Sequence, residues 1–416
     1  MAGIENFFND ILLWIKANPF LSGALFFVAS LIGIYLKTAV QTIAKQHTEK
    51  ILNGKNHEEE VFDEPVGPLL ENRTNEELRG LSSEELIDLY GAKNPPYRIL
   101  IGETDWSFAA TRELNPTGNG AIDKQEVFIK YHDEWFELEH HLNWLTADRL
   151  KALEAASKVE DLFNGDPFRI IDIQSDGDRS LINVGRCKYF DSLRTSFAMD
   201  FVLPSEGKSL REILHGSAGT FGPLSNSKLP NHMGLVVIIE TLDGQIVVQK
   251  RSTKVQIRPG TLSASVSGTF EKNDLSTSSE PLRLVEAISG VVREMHGELG
   301  GQYSYSSDNF FFLGLMREFR RGGFPDFYFY YRSPLTFTEI EANSTHAEEI
   351  FEVESVLGFY LGSTQLLENY EEEKHNFDMR MNRLMHDIEG KANLTLSLGL
   401  ALYYEMIIGQ TRATSD

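Results

Sequence analysis

PLRLVEAISGVVREMHGELGG, residues Pro281–Gly301, is the most strongly patterned stretch of this 416-residue chain. Pro281 suits the first turn of a helix, and the pair Gly300–Gly301 can end it. Between them Leu282, Val285, Ile288, Val292, Met295 and Leu299 recur at steps of three and four, which predicts a helix with one apolar stripe against a core. Glu294 and Glu298 are four apart, so they lie one turn above the other. At about 100° per residue they fall around the helix from that stripe. Two carboxylates on one edge, beside the glycine-ended loop SASVSG (Ser263–Gly268), can hold a hard divalent cation such as Mg²⁺. Such a cation can bridge phosphate oxygens and activate a water. The same spacing also describes a solvated acidic edge, and spacing alone does not choose between the two.

The segment Arg293–Gly300, REMHGELG, resembles the core of the Nudix box, REUxEExGU with U aliphatic: Arg293, Glu294, Met295, Glu298 and Gly300 stand on its fixed positions. The resemblance covers roughly residues 234–361. PLSNSKLPNHMG, Pro223–Gly234, is similar to the lead-in of larger Nudix proteins with a long amino-terminal region. What the resemblance implies is an α/β fold, a Nudix-type α/β/α sandwich with a mixed sheet, and Mg²⁺ or Mn²⁺ as cofactor. It gives Glu294 the roles of metal ligand and base, and Glu298 that of metal ligand. It also implies that Arg293 orients the glutamates through a charge-assisted bond. A backbone carbonyl near Gly268 would complete the metal site, with Glu348 or Glu349 as a further acid from a later loop. Lys250, Arg251 and Arg258 flank the expected cleft, where they would meet phosphates or serve as surface charges.

Four departures accompany the match. Gly297 stands where the family has the first glutamate of its pair, and Gly301 where it has an aliphatic residue. The run from Gly268 to Arg293 is longer than the family's and carries the insert EKNDLSTSSEP. No residue aligns with the family's loop glutamate: Val285 holds that offset, with Glu286 beside it. The insert, Glu271–Glu280, is expected to be a mobile loop at the cleft mouth, outside the metal site.

Around this stretch the chain reads as further strands and helices. GLVVIIET from Gly234 is a buried strand, Asp243–Gly244 a hairpin turn, and QIVVQKR the returning strand. Phe310–Leu315 and Phe327–Tyr331 predict strands. Thr364–Gly409 predicts helices, the second packed rather than membrane-spanning because it is only moderately long and includes Glu405. Residues 97–230 read as a separate α+β domain of unknown role: YRILI, EVFIKY and FRIIDI as strands, Ala147–Phe163 as a helix. Its aromatic cluster Trp135, Phe136 and Trp144 and the pair His140–His141 read as ordinary packing, since adjacent histidines point to different sides of an element. Residues 46–96 read as a polar linker with one short helix, begun by a Ser82–Glu85 capping box.

Before that linker stands PFLSGALFFVASLIGIYL, Pro19–Leu36, eighteen residues without a charge. That length reaches the minimum for a transmembrane helix. A signal peptide fits less well, because Glu5 and Asp10 precede the run; a buried helix is the third reading. Lys37, Lys45, Lys50 and Lys55 follow it, which puts the carboxy-terminal bulk in the cytoplasm.

Composition limits the partners. Sixty-one Asp and Glu against 39 Lys and Arg give a formal charge of −22, which excludes non-specific binding of a nucleic-acid polymer. A single cysteine, Cys187, excludes a disulfide framework and a cysteine-based zinc site. The expected protein is a membrane-anchored Nudix-type hydrolase that cleaves the pyrophosphate bond of a nucleoside diphosphate linked to another moiety. Its partners would be a nucleotide-like small molecule and the membrane, with a homodimer left open. The alternatives are a nucleotide or nucleotide-sugar sensor with a weakened metal site, and a membrane scaffold that uses the fold for contacts only.

Overall fold

The protein is described by a computed structural model over residues 80–415, apart from 115–126, 158–162, 177–178, 204, 217–218, 254–258, 276–279, 285–287, 301–306, 349 and 364–368. The expected anchor at 19–36 and most of the linker lie outside the described residues, as do Val285, Glu286, Arg258 and Glu349. Among the described residues no helix is long and apolar enough to cross a membrane.

The chain enters through α1 (Ser83–Tyr90), which starts where expected: the Ser82 side chain accepts from Glu85 N–H and Glu85 accepts from Ser82 N–H. Its Leu86 and Tyr90 are buried, so this end of the linker packs on the fold. The hairpin β1 (Tyr97–Ile101) and β2 (Thr104–Phe108), then β3 (Ala110–Leu114) and β4 (Val127–Trp135), follow. After α2 (His140–Leu145) and α3 (Ala147–Ser157) come β5 (Phe168–Asp176), β6 (Arg179–Arg186) and the short helices α4 (Tyr189–Leu193) and α5 (Leu210–Leu214). Next are β7 (Gly234–Glu240), β8 (Gln245–Arg251), β9 (Leu262–Ser263), β10 (Val266–Thr269) and β11 (Leu282–Arg283). The remainder is α6 (Ser289–Leu299), β12 (Phe310–Glu318), β13 (Phe324–Arg332), α7 (Phe337–Ser344), β14 (Val353–Tyr360), α8 (Tyr370–Ile388) and α9 (Leu394–Ser415).

An eight-stranded mixed sheet runs β9-β8-β7-β13-β12-β3, with β10 added to β7 and β14 to β8; β7 and β13 are parallel. Both faces of β7 are buried, and its period of two divides the core. Leu235, Val237 and Ile239 enter one apolar cluster with Val291, Met295 and Leu299 of α6. Val236 and Ile238 enter the other, with Met381 and Met385 of α8 and Leu400, Tyr403 and Ile407 of α9. Strands with two covered faces read as continuous apolar runs, as GLVVIIE does. The last helix is thus a packed one, tied down by Glu405, which accepts from Tyr97 and Arg112.

A second sheet, β11-β4-β6-β5, packs Ile129, Phe168, Ile170 and Ile182 into the α6 side of the core. The boundary expected near residue 230 is crossed in both directions. β3 pairs with β12 in the large sheet, and β11 pairs with β4 in the small one. The described residues, 80–415 with the exceptions named, accordingly belong to one compact unit. Strand pairing between distant segments leaves no trace in local pattern, which is why two domains were expected.

Two further expectations are corrected. The helix does not begin at Pro281: Leu282–Arg283 is a strand edge on Phe128 and Ile129, and α6 begins at Ser289. Trp135 and Trp144 are 39% and 60% exposed rather than packed. Trp144 stacks on His141, and Trp135 lies under Arg186 and Lys188.

Candidate functional site

With its start at Ser289, α6 takes its phase from Val291, Met295 and Leu299 rather than from the stripe that begins at Leu282. Val291, Glu294, Met295, Glu298 and Leu299 then recur at three and four on one face, and all five are buried. The sequence reading put Glu294 and Glu298 away from the apolar stripe; they lie on its margin, 8% and 4% exposed. Burying two carboxylates is costly unless their oxygens are hydrogen-bonded. Strand β10 supplies the donors: Thr269 N–H donates to Glu294 Oε1 at 3.0 Å, and Ser267 N–H to Glu298 Oε1 at 3.2 Å.

Gly268, between those two donors, permits the approach. A methyl group on its Cα would stand 2.2 Å from Glu294 Cδ and 2.3 Å from Oε1. The strand itself is placed by Ser265, which accepts from Ile239 N–H and donates to Val247 O, wedging β7 and β8 apart. The chain runs along β8 as β9, turns at Ser265 and returns along β7 as β10.

Arg293 joins the carboxylates to the preceding loop. Its guanidinium lies 3.0 Å from Glu294 Oε1 and donates to Thr269 O at 2.8 Å and to both oxygens of Asp274 at 3.0 and 2.8 Å. Burial disfavours the charge, but the bonds to Asp274 and the field of Glu294 outweigh it and raise the Arg293 pKa above its ordinary value. Asp274 is the residue the sequence reading missed. It stands six past Gly268, on the glycine side of the insert, whereas the offset from Arg293 falls on Val285 because the insert lengthens the run between them. The described part of the insert is a turn, and it is not exposed throughout: Asp274 and Leu275 are buried, and Asp274 also accepts from Glu271 N–H at 2.6 Å.

A cleft of about 210 Å³ opens on β10 and is lined by Ser267, Gly268 and Thr269. Its far wall is aromatic. Tyr189 meets His232 edge-on at 5.8 Å, His232 meets Phe324 at 5.3 Å, and Phe324 meets Phe197 at 5.3 Å. Burial, and next the nearby Arg321, push the His232 pKa down to about 3, so the ring is neutral. Arg251, Arg320 and Arg321 line the cleft against the carboxylates Asp326 and Glu352, a local positive excess in a chain of charge −22.

The expected phosphate contacts divide. Arg251 lines the cleft, 3.4 Å from Glu352. Lys250 is not a lining residue and pairs with Glu354 at 2.7 Å, both well exposed. Glu348 is exposed after α7 and does not line the cleft. Arg320, Arg321 and His232 were not foreseen, because they reach the cleft from the β12–β13 turn and from the chain before β7.

Among the described residues no three acid or histidine side chains converge into a metal cage. Mg²⁺ does not require one, since it is commonly held by one or two carboxylates with water and substrate phosphates filling the remaining positions. Glu294, Glu298 and the β10 carbonyls make an all-oxygen donor set of that type. Gln249, on the Val247 face of β8, and its cross-strand neighbour Ser263 are buried, and Gln249 Nε2 and Ser263 Oγ have no hydrogen-bond partner among the described residues. Polar atoms left this way are the ones ordered water serves. The carboxylates Glu294 and Glu298 beside the β10 backbone suit a divalent cation that keeps several of its waters.

No protein-family model matches the chain, and no curated protein sequence does. Among solved structures the chain is similar to the crystal structure of DR0079 from Deinococcus radiodurans, at 14% identity, over 36% of this chain and 82% of that one, with a TM-score of 0.21. A likeness at that score decides nothing about the site.

Proposed function

We propose that this chain is a Nudix-type hydrolase that cleaves the pyrophosphate bond of a nucleoside diphosphate linked to another moiety, with Mg²⁺ or Mn²⁺. The observation that carries the reading is the seating of Glu294 and Glu298 on β10, with the Glu294 carboxylate against Gly268; the two glutamates are not themselves lining residues of the cleft, but the β10 residues they bond are. The sequence match at Arg293–Gly300 supports it, as does the Arg293–Asp274 pair, in which Asp274 serves where a loop glutamate was missing.

A divalent cation bound there would supply charge neutralisation for the phosphates and lower the pKa of a bound water. Glu294 and Glu298 would hold it, and Glu294 would accept a proton from the attacking water. Arg293 keeps Glu294 in place through its bonds to Thr269 O and Asp274. The cleft walls bind and orient the organic part. Attachment to a membrane through Pro19–Leu36, with the rest of the chain cytoplasmic, is part of the proposal on the strength of that uncharged run.

The test is phosphate release from a panel of nucleoside diphosphate compounds with Mg²⁺ or Mn²⁺, alongside metal titration. Glu294→Gln is expected to abolish turnover, and Glu298→Gln to weaken divalent-metal binding by about 10- to 100-fold, on the scale of other metal-site changes. Metal binding indifferent to both changes would end the hydrolase reading. Gly297 favours one other reading, a nucleotide sensor with a weakened metal site. Ligand binding without turnover in the wild type, with turnover gained in Gly297→Glu, would select it.

A further inference from the structure

The turn between β12 and β13, Phe319–Gly323, is unusually well fixed for a hairpin end. Gly322 and Gly323 have φ of 68° and 87°, in the left-handed region, and Gly323 N–H donates to Glu318 O at 2.8 Å. Arg317, 2% exposed, donates to Gly323 O at 3.0 Å and to Gly222 O at 2.6 Å, tying the turn to the chain before β7. Arg211, 3% exposed, donates to Phe319 O at 2.8 Å and to Arg320 O. Arg321 pairs with Glu318 and Asp326, and their field holds its pKa above the ordinary value despite burial.

Among these arginines Arg320 differs. Its carbonyl is anchored, yet its half-buried side chain has no hydrogen bond or ion pair among the described residues. It lines the same cleft as Gly268 and Thr269. The other two cations there are engaged, Arg251 at Glu352 and Arg321 at Glu318 and Asp326. A guanidinium on a rigid backbone, in a cleft and without a carboxylate, is a preorganised receptor for a planar pair of anionic oxygens.

We infer that Arg320 is the residue through which this cleft binds a phosphate group of its ligand. The inference deepens the proposed function and rests on it for the choice of phosphate over carboxylate. It predicts a ligand that spans from the α6 carboxylates to the β12–β13 turn, with its organic part against Phe197 and Phe324. Lys250 lies outside this arrangement, paired with Glu354 beyond the cleft lining.

Inorganic pyrophosphate is the probe, titrated calorimetrically into the full-length protein in EDTA, so that neither a divalent cation nor turnover is needed. Wild type should bind. Arg320→Gln should weaken binding at least tenfold, Arg320→Lys should fall between the two, and Lys250→Gln should match wild type. Because the Arg320 side chain has no hydrogen bond or ion pair among the described residues, all three variants should melt with the wild type. In phosphate-release assays Arg320→Gln should raise KM more than it lowers kcat. Equal pyrophosphate binding by wild type and Arg320→Gln, or no binding by wild type, overturns the inference. Should Glu294→Gln retain turnover, the hydrolase reading fails, while the EDTA titration still decides the role of Arg320.

Discussion

The α6 edge and the β12–β13 turn both bury carboxylates beside arginines, and they use them oppositely. At the turn, Glu318 and Asp326 are met by the full positive charge of Arg321. On α6, Glu298 is met by a backbone N–H, and Glu294 by a backbone N–H and an Arg293 that it shares with Asp274. A backbone dipole satisfies an oxygen without cancelling its charge. One cluster is therefore a clamp of side-chain ion pairs that closes the turn, and the other seats its carboxylates on the backbone of β10.

Matched glycine substitutions should separate the two clusters most sharply. Gly268→Ala drives a methyl group into the Glu294 carboxylate, and displacement of a reacting group by about 1 Å costs on the order of 100-fold in rate. Gly323→Ala meets Arg317 Nη2 at 2.8 Å with φ at 87°, and should cost about 1–3 kcal/mol of stability with turnover per folded molecule retained. The measurements are urea midpoints and kcat for both variants. Equal loss of rate in the two would erase the distinction.

Removing a carboxylate from each cluster tests the clamp. Asp326→Asn leaves the buried Arg321 with less charge to meet and should cost about 3 kcal/mol. Asp274→Asn should cost about 1–2 kcal/mol, because Arg293 is 38% exposed and water takes part of the loss, but it should also lower kcat by loosening Glu294. A denaturation series with rates on the same samples reads both.

Acid should act through the aromatic wall. His232 is held neutral with a pKa of about 3, well under its ordinary 6.5, so the unfolded chain binds a proton first as pH falls. Its contribution is present above about pH 6.5 and is lost as pH drops towards 3, with a loss of about 3 kcal/mol by pH 4.5. His215, pushed down to about 4 by burial and then by Arg211 and Arg317, adds to the same slope. Urea midpoints between pH 7.5 and 4.5 should flatten in His232→Gln, and an unchanged slope would show that the ring carries none of it. The smallest effect should be Lys250→Gln, an exposed pair, at under about 1 kcal/mol with no change in ligand affinity.

The sequence by itself determined the parts whose information is local. The continuous apolar run in GLVVIIE marks a strand covered on both faces, Ser82 and Glu85 mark a helix start, and Glu294 and Glu298 mark one helix edge beside Gly268. Each is set by spacing along a few residues, so it survives without partners. Only the tertiary structure decided that Leu282 belongs to a strand, which moves the helix start to Ser289 and turns both glutamates inward. It alone joined residues 97–230 to the large sheet through β3, because pairing of Arg112 with Met316 depends on segments some two hundred positions apart. It also placed Asp274 on Arg293 and left Arg320 in the cleft without a carboxylate among the described residues. Whether a charge is spent on a neighbour or left for a ligand depends on which distant residues fold beside it, and no local pattern records that.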